Sequence, residues 1–225
     1  MTVSANTPRP GHWTFSLFRC VILTCCLIPV ISVDVLEAQS DADFASLKPG
    51  DQAADWKELM GTDDKPYSLE GFQKDVVVVC FTSNTCPYSV DYEDRMKALQ
   101  KSFEDEGLSA QLISINSNGV RGDELEAMKK RAMEKQFNFP YLKDESQSVA
   151  RSYGATYTPE FYVLNKDRTI VYRGAMDDQT DPSKATINYV QDAVRAAING
   201  TLPKVSEIPA RGCAVRYKRV RRSKQ

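Results

Sequence analysis

The sequence has almost no histidine. His12 is the only one, and it sits in the leader-like stretch at the start of the chain. The rest therefore has no imidazole for acid–base work or for holding a metal. No two cysteines are separated by two residues. Copper handling through paired cysteines and a histidine is thus excluded, as is covalent attachment of a c-type haem. No phosphate-cradling glycine loop is present; Gly119 and Gly122 read as ordinary loop glycines. Neither charge dominates, with 29 Lys+Arg against 30 Asp+Glu, so no specific nucleic-acid binding is expected. No internal repeat is visible. No cofactor is expected, and Asp177, Asp178 and Asp181 read as a solvated acidic loop rather than a cation site.

What the chain does have is 225 residues, 42% of them hydrophobic, which suits one globular domain with extensions. Arg9 and Arg19 precede an apolar run over residues 20–33, and Ala38 follows as a small residue for cleavage. Those parts read as a secretory signal peptide over residues 1–38, with an uncleaved membrane anchor as the alternative. The expected location is periplasmic or extracellular. Loss of the leader removes Cys20, Cys25 and Cys26 and leaves Cys80, Cys86 and Cys213. That odd number implies a free or exchangeable thiol, and it is too few for a disulfide-stapled scaffold.

The most informative segment is VVVVCFTSNTCPYSVDYEDRM, residues 76–96. A β-branched apolar run, read as a strand buried on both faces, breaks into a polar turn. Cys86 and Pro87 follow, and helical spacing begins. A helix start offers unpaired N–H groups and the positive end of the helix dipole, both of which favour a thiolate. Pro87 suits the first helical position. Cys80, inside the strand, reads as buried and inert. Asp91, Glu93 and Asp94 suit the helix dipole but oppose a thiolate.

Periodicity predicts further helices over residues 89–106, 123–137, 146–153 and 184–198. It predicts strands over 111–115 and 140–142, and a hairpin from 161–164 and 170–172. The order indicates an α/β fold with a mostly parallel centre and an antiparallel edge. Residues 39–50 read as a linker, 51–201 as the domain and 202–225 as a tail. The tail contains Arg211, Arg216, Lys218, Arg219, Arg221, Arg222 and Lys224, and reads as a solvated segment or as a contact for an anionic surface.

Three segments carry a resemblance. FTSNTCPYSVDYEDRM, FPYLKDESQSVARSYGATYTPEFYVL and the tail's ARGCAVRYK resemble the redoxin group of the thioredoxin-like superfamily, known as alkyl hydroperoxide reductase/thiol-specific antioxidant domains. The resemblance covers about residues 48–201. It implies a central mixed sheet flanked by helices, with an inserted strand–helix pair. It also implies a cis bond between Thr158 and Pro159 beside Cys86. The chain departs from the group at Ser83, where a first cysteine often stands. A dithiol mechanism inside this turn is therefore excluded.

The expected function is an exported oxidoreductase with Cys86 as nucleophile, acting by thiol–disulfide exchange or by peroxide reduction. Ser83 and Thr85 are candidate hydroxyl donors to its thiolate. Arg95, Arg151 and Arg173 are candidate cations. Pro87, Thr158 and Pro159 are expected to shape the groove for a protein thiol or disulfide, with the backbone at Pro159 pairing with a bound peptide. Cys86 then needs another partner, which Cys213, Cys80, a small thiol or another protein could supply. Against the alternative of a stray surface thiol, or one that pairs between chains, Cys213 is the expected resolving thiol. It is carried on a tail with little reason to be rigid, Gly212 leaving the backbone free, and its thiolate is favoured by Arg211 and Arg216. The alternative is a non-catalytic binding module on the same fold.

Overall fold

The structure, a computed structural model, describes residues 46–218. The leader and the basic residues beyond Lys218 lie outside the described residues. In chain order the elements are β1 (Leu59–Gly61), β2 (Pro66–Tyr67), β3 (Val76–Thr82), α1 (Pro87–Asp105), β4 (Ala110–Asn116), α2 (Leu125–Lys135) and β5 (Tyr141–Lys143). There follow α3 (Ser148–Tyr153), β6 (Tyr157–Thr158), β7 (Glu160–Leu164), β8 (Ile170–Gly174), α4 (Tyr189–Ile198), β9 (Glu207–Ile208) and β10 (Cys213–Ala214).

Eight strands form one mixed sheet in the order β2-β1-β5-β4-β3-β7-β8-β9. β3, β4 and β5 run parallel, and β7 and β8 add an antiparallel half. All seven residues of β3 are buried. Alternation along the strand divides them between two layers. Val76, Val78 and Cys80 pack with Met96, Leu99 and Phe103 of α1 and Val190 and Val194 of α4. Val77, Val79 and Phe81 face Trp56, Phe72, Tyr153 and Val215 on the other side. The strand is therefore a continuous apolar run because both of its faces are core. The expected architecture, a mixed sheet between helices with an added strand–helix pair at β4 and α2, is observed.

Three segments differ from expectation. The last helix starts at Tyr189 rather than residue 184, because Asn188 caps it by accepting from the Gln191 N–H, and Pro182–Lys184 is a separate 3₁₀ turn. The end of the expected linker is docked: Leu47 N–H donates to Tyr153 O at 3.2 Å and Gly50 N–H to Ile170 O at 2.8 Å. The tail is not free. β9 runs parallel to β8, β10 runs antiparallel to β6, and Val215 is buried in the core. Among the described residues, no helix is long and apolar enough to cross a membrane.

Candidate active site

β3 ends at Thr82, and the chain turns through Ser83, Asn84 and Thr85 at the carboxyl edge of the parallel strands. Cys86 is the N-cap of α1, with extended backbone (φ −86°, ψ 115°), and its sulfur accepts from the Ser89 N–H at 3.5 Å. Pro87 occupies the first turn, where its missing N–H forfeits no helical bond. The strand–turn–helix geometry expected around Cys86 is present.

The turn is organised by a residue that sequence reasoning passed over. Asp123, in the loop after β4, is fully buried. It accepts from Ser83 Oγ at 3.0 Å, the Asn84 N–H at 2.7 Å, Thr85 Oγ1 at 2.7 Å and Asn116 Nδ2 at 2.8 Å. A longer contact comes from Asn118 Nδ2 at 3.3 Å. Both hydroxyl hydrogens of the turn are thus committed to one carboxylate. Ser83 and Thr85 were expected to donate to the Cys86 thiolate; they hold the turn instead. An aspartate that directly follows Gly122 in a loop carries no periodic signal, so only the folded chain identifies it.

The Thr158–Pro159 bond is cis, and it lies against the turn. The Cys86 thiol donates to Thr158 O at 2.9 Å. Buried Glu160 steadies this segment by accepting from the N–H groups of Thr156 and Tyr157 at 2.8 and 3.2 Å, and it pairs with Arg173 at 3.0 Å.

The C-terminal strand completes the site. Cys213 lies opposite Thr158 in the β10–β6 pair, and its carbonyl accepts from Thr158 Oγ1 at 3.3 Å. Thr158 thus touches both cysteines, and the two thiols are neighbours that perturb each other's titration. Gly212 makes this approach possible: a Cβ there would stand 2.0 Å from Thr158 O and 3.2 Å from Pro159 N. Its role is close packing against fixed backbone, not the freedom expected of it. The peptide-pairing edge expected beside Pro159 is occupied by the chain's own β10.

Electrostatics separate the two thiols. Burial pushes the Cys86 pKa up, but donors outweigh it: the Cys213 thiol, the Thr158 side chain and the Ser89 N–H together hold it below the ordinary cysteine value. Cys213 is pushed up to about 11 by burial and by the neighbouring Cys86 sulfur; the attraction of Arg216 is too weak to reverse this, contrary to expectation. The first proton the pair loses is therefore that of Cys86, while Cys213 keeps its hydrogen. Cys80 is fully buried and its pKa is raised well above the ordinary value, first by burial and then by the Glu160 charge, as befits an inert core thiol.

The candidate arginines work elsewhere. Arg95 pairs with Asp177 at 2.7 Å, Arg173 holds Glu160, and Arg151 stacks over Tyr217 and donates to Lys218 O. The acidic Glu93 near the helix start is matched by Arg131. In the 177–181 loop, Asp177 accepts from Tyr92 and Arg95, Asp178 from Thr186, and Asp181 from Ser183. Among the described residues, no group of three or more His, Cys, Asp or Glu is placed to hold a metal ion.

The profile of the AhpC/TSA family matches residues 49–173, more than half of the chain. The chain belongs to this family. Two solved structures are each 30% identical to it. One is a hypothetical protein from Sinorhizobium meliloti (TM-score 0.70, covering 77% of this chain and 96% of that one). The other is an uncharacterized conserved protein from Geobacillus kaustophilus (TM-score 0.72, covering 79% and 96%). The fold is also that of a peroxidoxin, BcpB from Mycobacterium tuberculosis (21% identity, TM-score 0.53, covering 68% and 97%). No curated protein matches the chain by sequence. As an AhpC/TSA protein with a thioredoxin-like fold, it has a redox-type function, with thiols or peroxides as the general substrate class.

Proposed function

We propose that this AhpC/TSA protein is a thiol-dependent oxidoreductase in which Cys86 is the nucleophile and Cys213 resolves it. The observation that carries this reading is the place of Cys213: it lies on a strand seated on the cis-proline segment, directly opposite Thr158, whose carbonyl accepts from the Cys86 thiol at 2.9 Å. With Ser83 in place of a first cysteine, the second sulfur comes from the tail instead of the turn.

With a hydroperoxide as oxidant, the Cys86 thiolate attacks one peroxide oxygen. The O–O bond breaks, an S–O bond forms, and the departing alkoxide or hydroxide takes up a proton. Cys213, having given up its hydrogen, attacks the Cys86 sulfenic acid. The S–O bond breaks, the Cys86–Cys213 disulfide forms, and the released hydroxide leaves as water. An external dithiol restores both thiols. With a disulfide as oxidant, the same two sulfurs close through a mixed disulfide at Cys86.

The test is a peptide map of the fully oxidised protein. A linked peptide pair containing Cys86 and Cys213 is expected, and Cys213→Ser should leave Cys86 trapped as sulfenic acid or mixed disulfide. Free Cys213 alongside completely oxidised Cys86 overturns the assignment. A non-catalytic binding module remains the rival on account of Ser83, and Cys86 reacting no faster than an exposed model thiol would favour it. The leader supports action outside the cytoplasm; exported protein should begin near Gln39, whereas an intact leader would make it a membrane-anchored domain.

A further inference from the structure

The tail is anchored on both sides of Cys213. Upstream, β9 is held against β8 so closely that a Cβ on Gly174 would stand 1.7 Å from Ile208 O. Downstream, the Val215 N–H donates to Thr156 O at 3.0 Å, the Arg216 N–H to Asn118 Oδ1 at 2.8 Å, Tyr217 Oη to Ala155 O at 2.6 Å and the Lys218 N–H to Gln147 Oε1 at 2.7 Å. Val215 is buried in the core between these bonds. Residues 209–214 thus form a strap clamped at both ends across Cys86, which is only 2% exposed.

An uncovered strand edge is a template for another extended segment, because its free N–H and C=O groups can pair with it. The edge of β6 next to Cys86 is such a template, and Cys213 shows that a segment running along it brings a sulfur to Cys86. A polypeptide disulfide seeking the same sulfur would have to run where residues 212–214 run. A small hydroperoxide has no such need: the part-exposed Cys213 side chain only has to turn aside.

We propose that the strap restricts the Cys86–Cys213 couple to small hydroperoxides by occupying the strand edge a polypeptide disulfide would require, and that Gly212 is the specificity-determining residue. This rests on the dithiol reading above and names its substrate class. The bond changes are those already written for a hydroperoxide. The covered edge keeps the competing exchange, in which a protein disulfide would oxidise the couple, from starting.

The experiment uses the reduced full-length protein. It is mixed separately with hydrogen peroxide, tert-butyl hydroperoxide and oxidised insulin at equal concentration, quenched by alkylation, and analysed for Cys86–Cys213 disulfide over time. Both peroxides should oxidise the couple while insulin remains unreduced. Gly212→Ala places a methyl group against the Thr158 carbonyl and should lift the strap, raising the rate of insulin reduction at least about tenfold and slowing closure of the Cys86–Cys213 bond. Val215→Ser weakens the downstream anchor by putting a hydroxyl where an apolar side chain is buried in the core, and should act in the same direction if Gly212→Ala does not fold. Wild-type protein that reduces insulin as fast as it consumes peroxide overturns the proposal. So do folded variants that exclude insulin as completely as wild type does. Failure of diamide to form any Cys86–Cys213 disulfide would instead overturn the dithiol reading beneath it.

Discussion

Replacing Asp123 with alanine should loosen the turn before Cys86 at a cost that can be worked out from its partners. The carboxylate is fully buried and accepts five hydrogen bonds. Some donors have another outlet. Asn116 Nδ2 also reaches Tyr141 Oη at 3.0 Å, and one of the Ser83 and Thr85 hydroxyls can donate to the other across 3.1 Å. The Asn84 N–H, one of the two hydroxyls and Asn118 Nδ2 are left without a protein acceptor. A buried donor stripped of its partner costs about 1–3 kcal/mol, and the three are neighbours whose costs overlap, so the expected loss is about 3–5 kcal/mol. With a urea m-value of about 2 kcal/mol/M, the unfolding midpoint should fall by roughly 1.5–2.5 M. Asp123→Asn keeps the shape but turns an amide NH₂ toward some of these donors, and should recover only part of the loss. Urea unfolding of all three proteins gives the answer. A loss under about 1 kcal/mol for Asp123→Ala would mean that water satisfies these donors and that the carboxylate does not hold the turn.

Three further outcomes are expected. The alkylation rate of Cys86 should rise through a midpoint below the free-cysteine value of about 8.5, and Cys213→Ala should move that midpoint up by removing a donor to the thiolate; an unchanged midpoint would refute Cys213 as that donor. Cys213 has its pKa raised to about 11 in the fold, so the stability it contributes is present below its unfolded value and is lost as pH climbs toward 11; thermal melts should show a steeper alkaline decline for wild type than for Cys213→Ala. Arg131→Ala leaves Glu93, whose side chain is 7% exposed, with only Lys135 at 4.0 Å; denaturant unfolding should register a loss of about 2–4 kcal/mol, and a neutral result would show that Glu93 is solvated or protonated in the variant.

Local signals in the sequence determined the framework. The run Val76 to Phe81 suits a doubly buried strand, because an apolar, largely β-branched run without alternation has no face to offer water. Cys86 followed by Pro87 marked a helix start, and the helix begins there because the proline's fixed φ and missing N–H suit that position. Ser83 removed a turn dithiol, and Cys213 was the remaining thiol with chain enough to reach Cys86. Tertiary structure decided what each group does. The hydroxyls of Ser83 and Thr85 answer to Asp123, a loop residue brought across from another strand, and no spacing rule links positions forty residues apart. The tail has the composition of a solvated segment, yet its own N–H groups donate to the side-chain oxygens of Asn118 and Gln147 and to the Thr156 carbonyl, acceptors that only the folded chain brings beside it. Gly212 looked like flexibility in the sequence; against the Thr158 carbonyl it is the absence of a methyl group that lets Cys213 reach Cys86.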